Sequence, residues 1–217
     1  MNFKTFGIEG APVLMLIPGL GVSYEIFLPL VRLLEDRFRI IAVEVGGFVL
    51  GTHTRFISID GQASQIIEYI KTQQKGEIAC AYGLSLPSWL VGPLKHIQAA
   101  NVWTCYHWTG FWRLLFRSHY FDVLLNECRK IYPFGGKKAV LDGYTSVYRN
   151  TLESISGDDI HFWYGTKEAF VAKPQVRHLK AIYPTLKVEV FNKMNHGQLL
   201  IDHPDEVADR LIRIQYE

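Results

Sequence analysis

Three residues that are far apart in the sequence carry a hydroxyl, a carboxylate and an imidazole: Ser85, Glu168 and His196. A serine hydroxyl becomes a nucleophile when a histidine accepts its proton, and a carboxylate can hold that histidine in the productive orientation. Each residue also has an ordinary interpretation, since Ser85 can cap a helix and the other two can be solvated loop residues. All three, however, follow predicted strands at the sheet edge where open α/β sheets bind ligands. This shared position favours nucleophilic catalysis.

The serine lies in the segment Gly83-Leu84-Ser85-Leu86-Pro87, between the apolar run Ile78–Ala81 and a helical pattern through Trp89, Leu90 and Leu94. A strand, a sharp turn with a serine and a helix form a nucleophile elbow, in which helix amides face a developing oxyanion. Glycine is usual two residues after the serine, where this chain has Pro87. The φ angle of proline suits the first turn of a helix. The amide proton that proline lacks would be unpaired at that position, so Pro87 is compatible with an elbow.

The carboxylate and the imidazole follow the last two apolar runs. Glu168 ends the segment Tyr164-Gly165-Thr166-Lys167-Glu168, and His196 lies in Asn192–Gly197. Because the carboxyl ends of parallel strands share one edge of a sheet, we expect both side chains there. The other histidines are interpreted as structural or solvated: His53, His96, His107, His119, His161, His178 and His203.

Short apolar runs alternate with amphipathic stretches along most of the chain, which is typical of a parallel sheet covered by helices on both faces. Helical spacing of apolar residues predicts helices around Ile26–Leu34 and Ala63–Ile70. Acidic residues in His203–Glu206 predict the start of a last helix, with Val207, Leu211 and Ile214 facing the sheet. The runs predicted as strands are Val13–Ile17, Ile40–Val45, Ile78–Ala81, Val102–His107, Ile160–Tyr164 and Leu186–Phe191.

The alternation fails once, between Val102–His107 and Ile160–Tyr164, where about fifty residues intervene although a crossover needs only a dozen or more. We therefore predict a helical insertion over residues 108–157, within a single domain that spans residues 1–217. The pair Ser156-Gly157 is predicted to return the chain to the sheet.

Large apolar residues recur at helical spacing in this insertion, with Arg113, Arg117 and Arg129 between them. Aromatic residues on a basic face can bind single-stranded nucleic acid, but the helical periodicity and the small net charge argue against it. Most of the stripe is interpreted as core, and the residues near its entry are predicted to line a pocket for an apolar acyl or alkyl group. The pocket residues are Trp108, Phe111 and Trp112; the rest of the stripe is Leu115, Phe116, Leu124, Leu125 and Cys128.

The composition is that of one folded domain: 217 residues, 48% hydrophobic and 20% charged. A net charge of +2 gives no electrostatic reason to expect a nucleic-acid partner. The longest apolar stretch, Ala11–Val22, is interrupted by prolines and glycines and is shorter than the ~20 residues that span a bilayer. We interpret it as a buried strand and the protein as cytoplasmic, with no membrane span. Cys80, Cys105 and Cys128 show no CxxC spacing and are interpreted as free thiols.

These segments together resemble the α/β-hydrolase superfamily over nearly the whole chain. Gly83–Pro87 resembles its nucleophile elbow, Gly165–Glu168 its acid loop and Asn195–Gly197 its histidine loop. Leu16–Gly21 is similar to the loop after the third strand, and Glu44–Gly47 is similar to the Asp-x-x-Gly segment after the fourth. The insertion falls where the family carries its cap, between the sixth and seventh strands.

The resemblance implies a serine hydrolase that cleaves a small ester, thioester or amide through an acyl-enzyme. Ser85 would be the nucleophile, His196 the general base and then acid, and Glu168 the group that orients it. The amides of Leu20 and Leu86 would form the oxyanion hole. The resemblance implies no cofactor and no metal, and the sequence contains no HExxH, GxxxxGK[ST] or GxGxxG motif.

Two residues depart from the family pattern. Pro18 stands where histidine usually precedes the oxyanion glycine, and Pro87 replaces the second glycine of the elbow. These departures leave open a non-catalytic protein of the same fold that binds a ligand. An acyltransferase or a C–C hydrolase would use the same three residues, so the sequence does not separate these activities.

Overall fold

The computed structural model describes residues 1–74, 78–84, 95–147 and 160–216. Within these ranges strands and helices alternate along most of the chain. The strands are β1 (Asn2–Gly7), β2 (Val13–Ile17), β3 (Arg39–Glu44), β4 (Cys80–Gly83), β5 (His161–Gly165) and β6 (Lys187–Phe191). The helices are α1 (Leu28–Leu34), α2 (Ile59–Gln73), α3 (Lys95–His107), α4 (Thr109–Leu115), α5 (His119–Ile131), α6 (Gly136–Val147), α7 (Ala169–Ile182), α8 (Gln198–Asp202) and α9 (Pro204–Tyr216).

The described strands pair in two groups. The larger group has the order β1-β3-β2-β4, in which β1 runs antiparallel to β3 and the other pairs are parallel. The smaller group is the parallel pair β5 and β6. Tyr82 of β4 and Trp163 of β5 bring the groups together, with ring centroids 5.8 Å apart. The predicted mostly parallel sheet flanked by helices is thus confirmed.

Strands β2 and β3 are buried on both faces because apolar side chains occupy successive positions along them. Leu14 and Leu16 point into a cluster that α1 and α9 complete, with Val207 and Leu211 of α9 almost fully buried. Met15 points into a second cluster on the opposite face, to which α2, α5 and α6 contribute. The two central strands therefore anchor helices on both sides, and the predicted helices α1, α2 and α9 are confirmed.

One predicted strand is wrong. Val102–His107 is the second half of helix α3. Ala99 and Val102 are buried, whereas Trp103 and Tyr106 are exposed, so the segment buries one helical face rather than alternate residues. The other five predicted runs form β2 to β6 in order.

Strand β1 was not predicted from the sequence. It lies at the edge of the larger group and is mostly exposed, and its two aromatic residues, Phe3 and Phe6, are separated by the polar pair Lys4-Thr5. Backbone pairing with β3 holds it in place, together with the packing of Phe3 and Phe6 on the two core clusters.

Helices α4, α5 and α6 lie within the predicted insertion, whose last residues, 148–157, including Ser156 and Gly157, fall outside the described ranges. Of the stripe residues interpreted as core, Leu125 is buried, but Leu115 is 54% exposed and Phe116 is 40% exposed, so the interpretation is wrong for these two. Trp108 and Phe111, which were predicted to line a pocket, are 55% and 49% exposed. No helix in the described ranges has both the length and the apolarity needed to cross a bilayer.

Candidate active site

Glu168 ends a single 3-10 turn, Thr166–Glu168, that follows β5 directly. Its Oε1 accepts a hydrogen bond of 3.1 Å from the backbone amide of Gly165, so the side chain folds back over the start of its own turn. The side chain is 20% exposed. This turn, which we call the acid turn, leaves Oε2 for a second donor.

His196 lies between β6 and α8, in the segment Asn192–Gly197 that we call the histidine loop. Gly197 has a left-handed backbone with φ of 67° and ends the loop immediately before Gln198, the first residue of α8. Asn195 donates to Gln198 Oε1 through its backbone amide at 2.9 Å and through its side-chain amide at 3.1 Å. These bonds tie the loop to the first turn of α8 and hold His196 with its side chain 53% exposed.

Two hydrogen bonds join the acid turn to the histidine loop. The amide of Lys167 donates to the carbonyl of Met194 at 3.0 Å, and the amide of Lys193 donates to Thr166 Oγ1 at 2.8 Å. β5 and β6 are neighbouring parallel strands, so both segments leave the sheet at the same edge.

This contact brings the acid and the imidazole together. His196 Nδ1 lies 2.7 Å from Glu168 Oε2. A carboxylate oxygen accepts and does not donate, so Nδ1 carries the proton and Nε2 of the neutral ring has a free lone pair. Burial alone would raise the pKa of Glu168, but the hydrogen bond and charge of His196, with the amide of Gly165, hold the pKa of this carboxyl below its usual value. The pair can therefore act as an oriented base.

Ser85, Leu86 and Pro87 lie outside the described residues. The residue before them, Leu84, is described, and its amide donates to the carbonyl of Ile17 at 2.9 Å, where β2 ends. A Cβ atom at Gly197 would lie 3.3 Å from Leu84 Cδ1. The end of β4 therefore lies against the histidine loop, one residue before the predicted nucleophile.

Leu20, the other residue of the predicted oxyanion hole, lies in the segment Pro18–Ser23 after β2, which we call the β2 loop. Helix α6 packs directly on it. A Cβ atom at Gly143 would lie 2.8 Å from Leu20 Cδ2, so any larger residue at position 143 would require the Leu20 side chain to shift.

The predicted pocket residues Trp108, Phe111 and Trp112 lie at the start of the insertion, in and just before α4. Trp108 and Phe111 have ring centroids 6.1 Å apart, and Phe111 and Trp112 5.9 Å. The row of rings continues through Phe116 and Phe121 to Tyr120, with successive centroids 5.7, 4.6 and 5.3 Å apart. We call these six residues the aromatic row.

Two residues at the site were missed from the sequence. The hydroxyl of Tyr120 donates to the backbone carbonyl of His196 at 2.8 Å, and Glu127 accepts from Ser23 in the β2 loop. One signal for Glu127 was present: it interrupts the helical series Tyr120, Leu124, Ile131, which is otherwise apolar or aromatic.

No protein-family model matches this sequence, and no curated protein matches it. Solved structures match it along nearly its whole length. A protein assigned to the α/β-hydrolase family from Desulfitobacterium hafniense has a TM-score of 0.72 at 16% identity, with 100% of both chains covered. The enol-lactonase from Burkholderia xenovorans LB400 has a TM-score of 0.68 at 14% identity, covering 100% of this chain and 96% of the other. A thermophilic esterase from Thermogutta terrifontis has a TM-score of 0.65 at 14% identity, covering 98% and 91%. The chain therefore adopts the α/β-hydrolase fold.

Proposed function

We propose that the protein is a serine hydrolase that cleaves a small ester, thioester or amide through an acyl-enzyme. The observation that carries the proposal is the 2.7 Å contact between His196 Nδ1 and Glu168 Oε2. This contact fixes the ring tautomer in which Nε2 can accept a proton, which is what activation of a serine requires. A protein that only binds a ligand has no need of it.

In the proposed reaction, Ser85 Oγ attacks the substrate carbonyl while His196 Nε2 accepts the hydroxyl proton. The amides of Leu20 and Leu86 donate to the oxyanion of the tetrahedral intermediate. His196 then gives its proton to the leaving group as the acyl-enzyme forms. A water molecule attacks the acyl carbon with His196 again as base, which releases the acid and restores the serine.

The assignment of Ser85 as nucleophile is supported by the position of Leu84. That side chain lies against Gly197, the residue after His196. Ser85 is the next residue in the sequence after Leu84.

The reaction class is supported by the structural neighbours, two of which are named an enol-lactonase and an esterase. An apolar acyl group is supported by the aromatic row, which starts at exposed Trp108 and ends at Tyr120, a direct partner of the histidine loop.

Labelling with a fluorophosphonate probe tests the proposal, because this probe reacts with serines that a base has activated. Ser85 and Ser88 both lie between Lys75 and Lys95, so one tryptic peptide carries both, and its fragment masses locate the label. We expect modification at Ser85, loss of labelling in Ser85→Ala and His196→Ala, and full labelling of the matched control Ser88→Ala. A folded wild-type protein that takes no label would favour the ligand-binding alternative and refute the proposed activity.

A further inference from the structure

Helix α5 of the insertion contacts two loops of the candidate site at once. Tyr120 lies in its first turn and Glu127 seven residues later. Residues at this spacing share one face of a helix and lie about 10 Å apart along its axis. Tyr120 binds the histidine loop and Glu127 binds the β2 loop. One rigid element therefore spans the predicted base and the predicted oxyanion hole.

The Tyr120 contact is a hydrogen bond of 2.8 Å from its hydroxyl to the backbone carbonyl of His196. Tyr120 is 7% exposed. Burial and the nearby charges of Glu168 and Asp202 raise the pKa of Tyr120 to about 12, so the hydroxyl stays protonated and can donate. The bond restrains the backbone of the histidine itself rather than that of a neighbour.

A second contact supports this end of the helix. His119 Nδ1 lies 3.0 Å from Asp202 Oδ1, and Gln198 Nε2 donates to the other oxygen of Asp202 at 2.8 Å. The start of α5 is thus joined to Asp202 at the end of α8, the short helix that follows the histidine loop, and Gln198 at the start of α8 holds the same carboxylate.

The Glu127 contact is buried more deeply. Glu127 is 3% exposed and Ser23 is 1% exposed. Glu127 Oε2 accepts from the backbone amide of Ser23 at 2.8 Å and from its hydroxyl at 2.7 Å, while Oε1 accepts from Lys130 at 2.8 Å. Partial burial would lower the pKa of Lys130, but its hydrogen bonds to Glu127 and Glu25 raise it, so the lysine stays charged.

A buried carboxylate is a costly way to fasten a helix, because well-packed apolar residues of similar volume give equal or greater stability. A carboxylate adds directional hydrogen bonds, which fix the β2 loop in one position relative to α5. Ser23 is three residues after Leu20. The amide of Leu20 must be held in place before the oxyanion forms if it is to stabilise that charge.

We infer that Tyr120 and Glu127 are positioning residues, through which α5 holds the imidazole of His196 and the amide of Leu20 in their catalytic geometry. This inference rests on the proposed function. It predicts that removing either contact slows the chemical step without weakening substrate binding.

The variant Tyr120→Phe tests the first contact, because it removes only the hydroxyl. We expect kcat on a p-nitrophenyl ester to fall about ten-fold, as loss of one hydrogen bond allows, with KM within about two-fold of wild type. The control is Tyr69→Phe, which removes a hydroxyl on α2 that accepts a 3.4 Å bond from Gln74, and it should leave both constants unchanged.

A spectroscopic measurement separates positioning from general stability. The proton on His196 Nδ1 that faces Glu168 should give a downfield NMR resonance, assigned by its loss in His196→Gln. We expect this resonance to broaden or move upfield in Tyr120→Phe and to keep its chemical shift and line width in Tyr69→Phe. A lower melting temperature with an unchanged resonance and unchanged kcat would make Tyr120 purely structural and overturn the inference.

The pair Glu127→Gln and Ser23→Ala tests the second contact. Each should lower kcat roughly five-fold with little change in KM. The double variant should be no slower than the slower single variant, because Ser23→Ala removes one donor of the same contact whose acceptor Glu127→Gln alters. Ser58→Ala is the matched control. Ser23 caps the 3-10 helix Tyr24–Phe27 by accepting from the amide of Glu25 at 3.3 Å, and Ser58 caps α2 by accepting from the amide of Gly61 at 2.9 Å. Additive effects, or equal losses in Ser58→Ala, would overturn a positioning role for Glu127.

These measurements also separate the inference from the proposed function. If wild type hydrolyses no ester and takes no label, the proposed function fails, yet the His196 resonance still reports whether Tyr120 positions the ring. If wild type is active and the Tyr120 and Glu127 variants equal their controls, the function stands and the inference fails.

Discussion

Gly165 lies so close to Met194 that any side chain at position 165 would overlap the Met194 carbonyl group and come within 2.8 Å of its Cβ. That carbonyl accepts the amide of Lys167 at 3.0 Å and cannot move away without losing this bond. The close approach of these two backbones sets the distance between the acid turn and the histidine loop, and therefore between Glu168 and His196.

The substitution Gly165→Ala should move the acid turn and the histidine loop apart. The added methyl group meets backbone rather than the flexible end of a side chain, so we expect the free energy of unfolding to fall by about 1–3 kcal/mol and labelling of Ser85 to slow. Urea denaturation and the labelling rate measure the two effects. The control is Gly110→Ala on α4, where a Cβ meets no described atom within 4 Å and a helical alanine should be neutral or stabilising. Equal effects of the two substitutions would contradict the prediction.

Glu168→Gln should impair activity much more than stability. Both carboxylate oxygens of Glu168 accept hydrogen bonds, from Gly165 and from His196. A glutamine has one acceptor oxygen, so one of the donors must face its NH₂ group and the ring tautomer is no longer fixed. We expect kcat to fall by roughly 10²- to 10⁴-fold. Glu206→Gln on α9, which removes an exposed partner of Arg210, is the control and should leave kcat unchanged.

The decrease in the free energy of unfolding at acidic pH should depend on Glu168. Its pKa is lower in the folded protein than in an unfolded chain. Its contribution to stability is therefore fully present above the unfolded pKa and is lost as the pH falls through the lower, folded value. We expect the difference in unfolding free energy between wild type and Glu168→Gln to shrink as the pH falls below about 5, through the unfolded pKa and then the lower, folded one. A difference that grows on acidification would contradict this sign.

The meeting of Glu168 and His196 could be predicted from the sequence because it depends on strand order. Glu168 and His196 follow two apolar runs, and the runs form neighbouring parallel strands, so the residues after them must meet at one edge. The contact between Glu168 and His196, and Gly165, which permits it, follow from the residues of the acid turn and the histidine loop themselves.

Features that depend on tertiary contacts could not be predicted in the same way. The run Val102–His107 is apolar enough for a buried strand, and its length does not distinguish a strand from half of a helix. The roles of Tyr120 and Glu127 require knowing that α5 crosses both loops, which no local pattern contains. The edge strand β1 is held by backbone pairing to β3, which side-chain periodicity does not reveal.

Under the proposed function, the aromatic row should determine which acyl chains the protein prefers. Trp108 and Phe111 are about half exposed and stabilise little, so their replacement by alanine should change the unfolding free energy by less than about 0.5 kcal/mol. A longer acyl chain that lies along the row gains about 0.8 kcal/mol for each CH₂ it buries, and a short chain does not reach the row. We therefore expect Phe111→Ala to lower kcat/KM roughly ten-fold for long-chain p-nitrophenyl esters and to leave the acetate ester unaffected. The control Ile67→Ala, at a 50% exposed position on α2, should change neither. An equal loss for all chain lengths would show that Phe111 acts on the chemical step and that the row does not bind the acyl group.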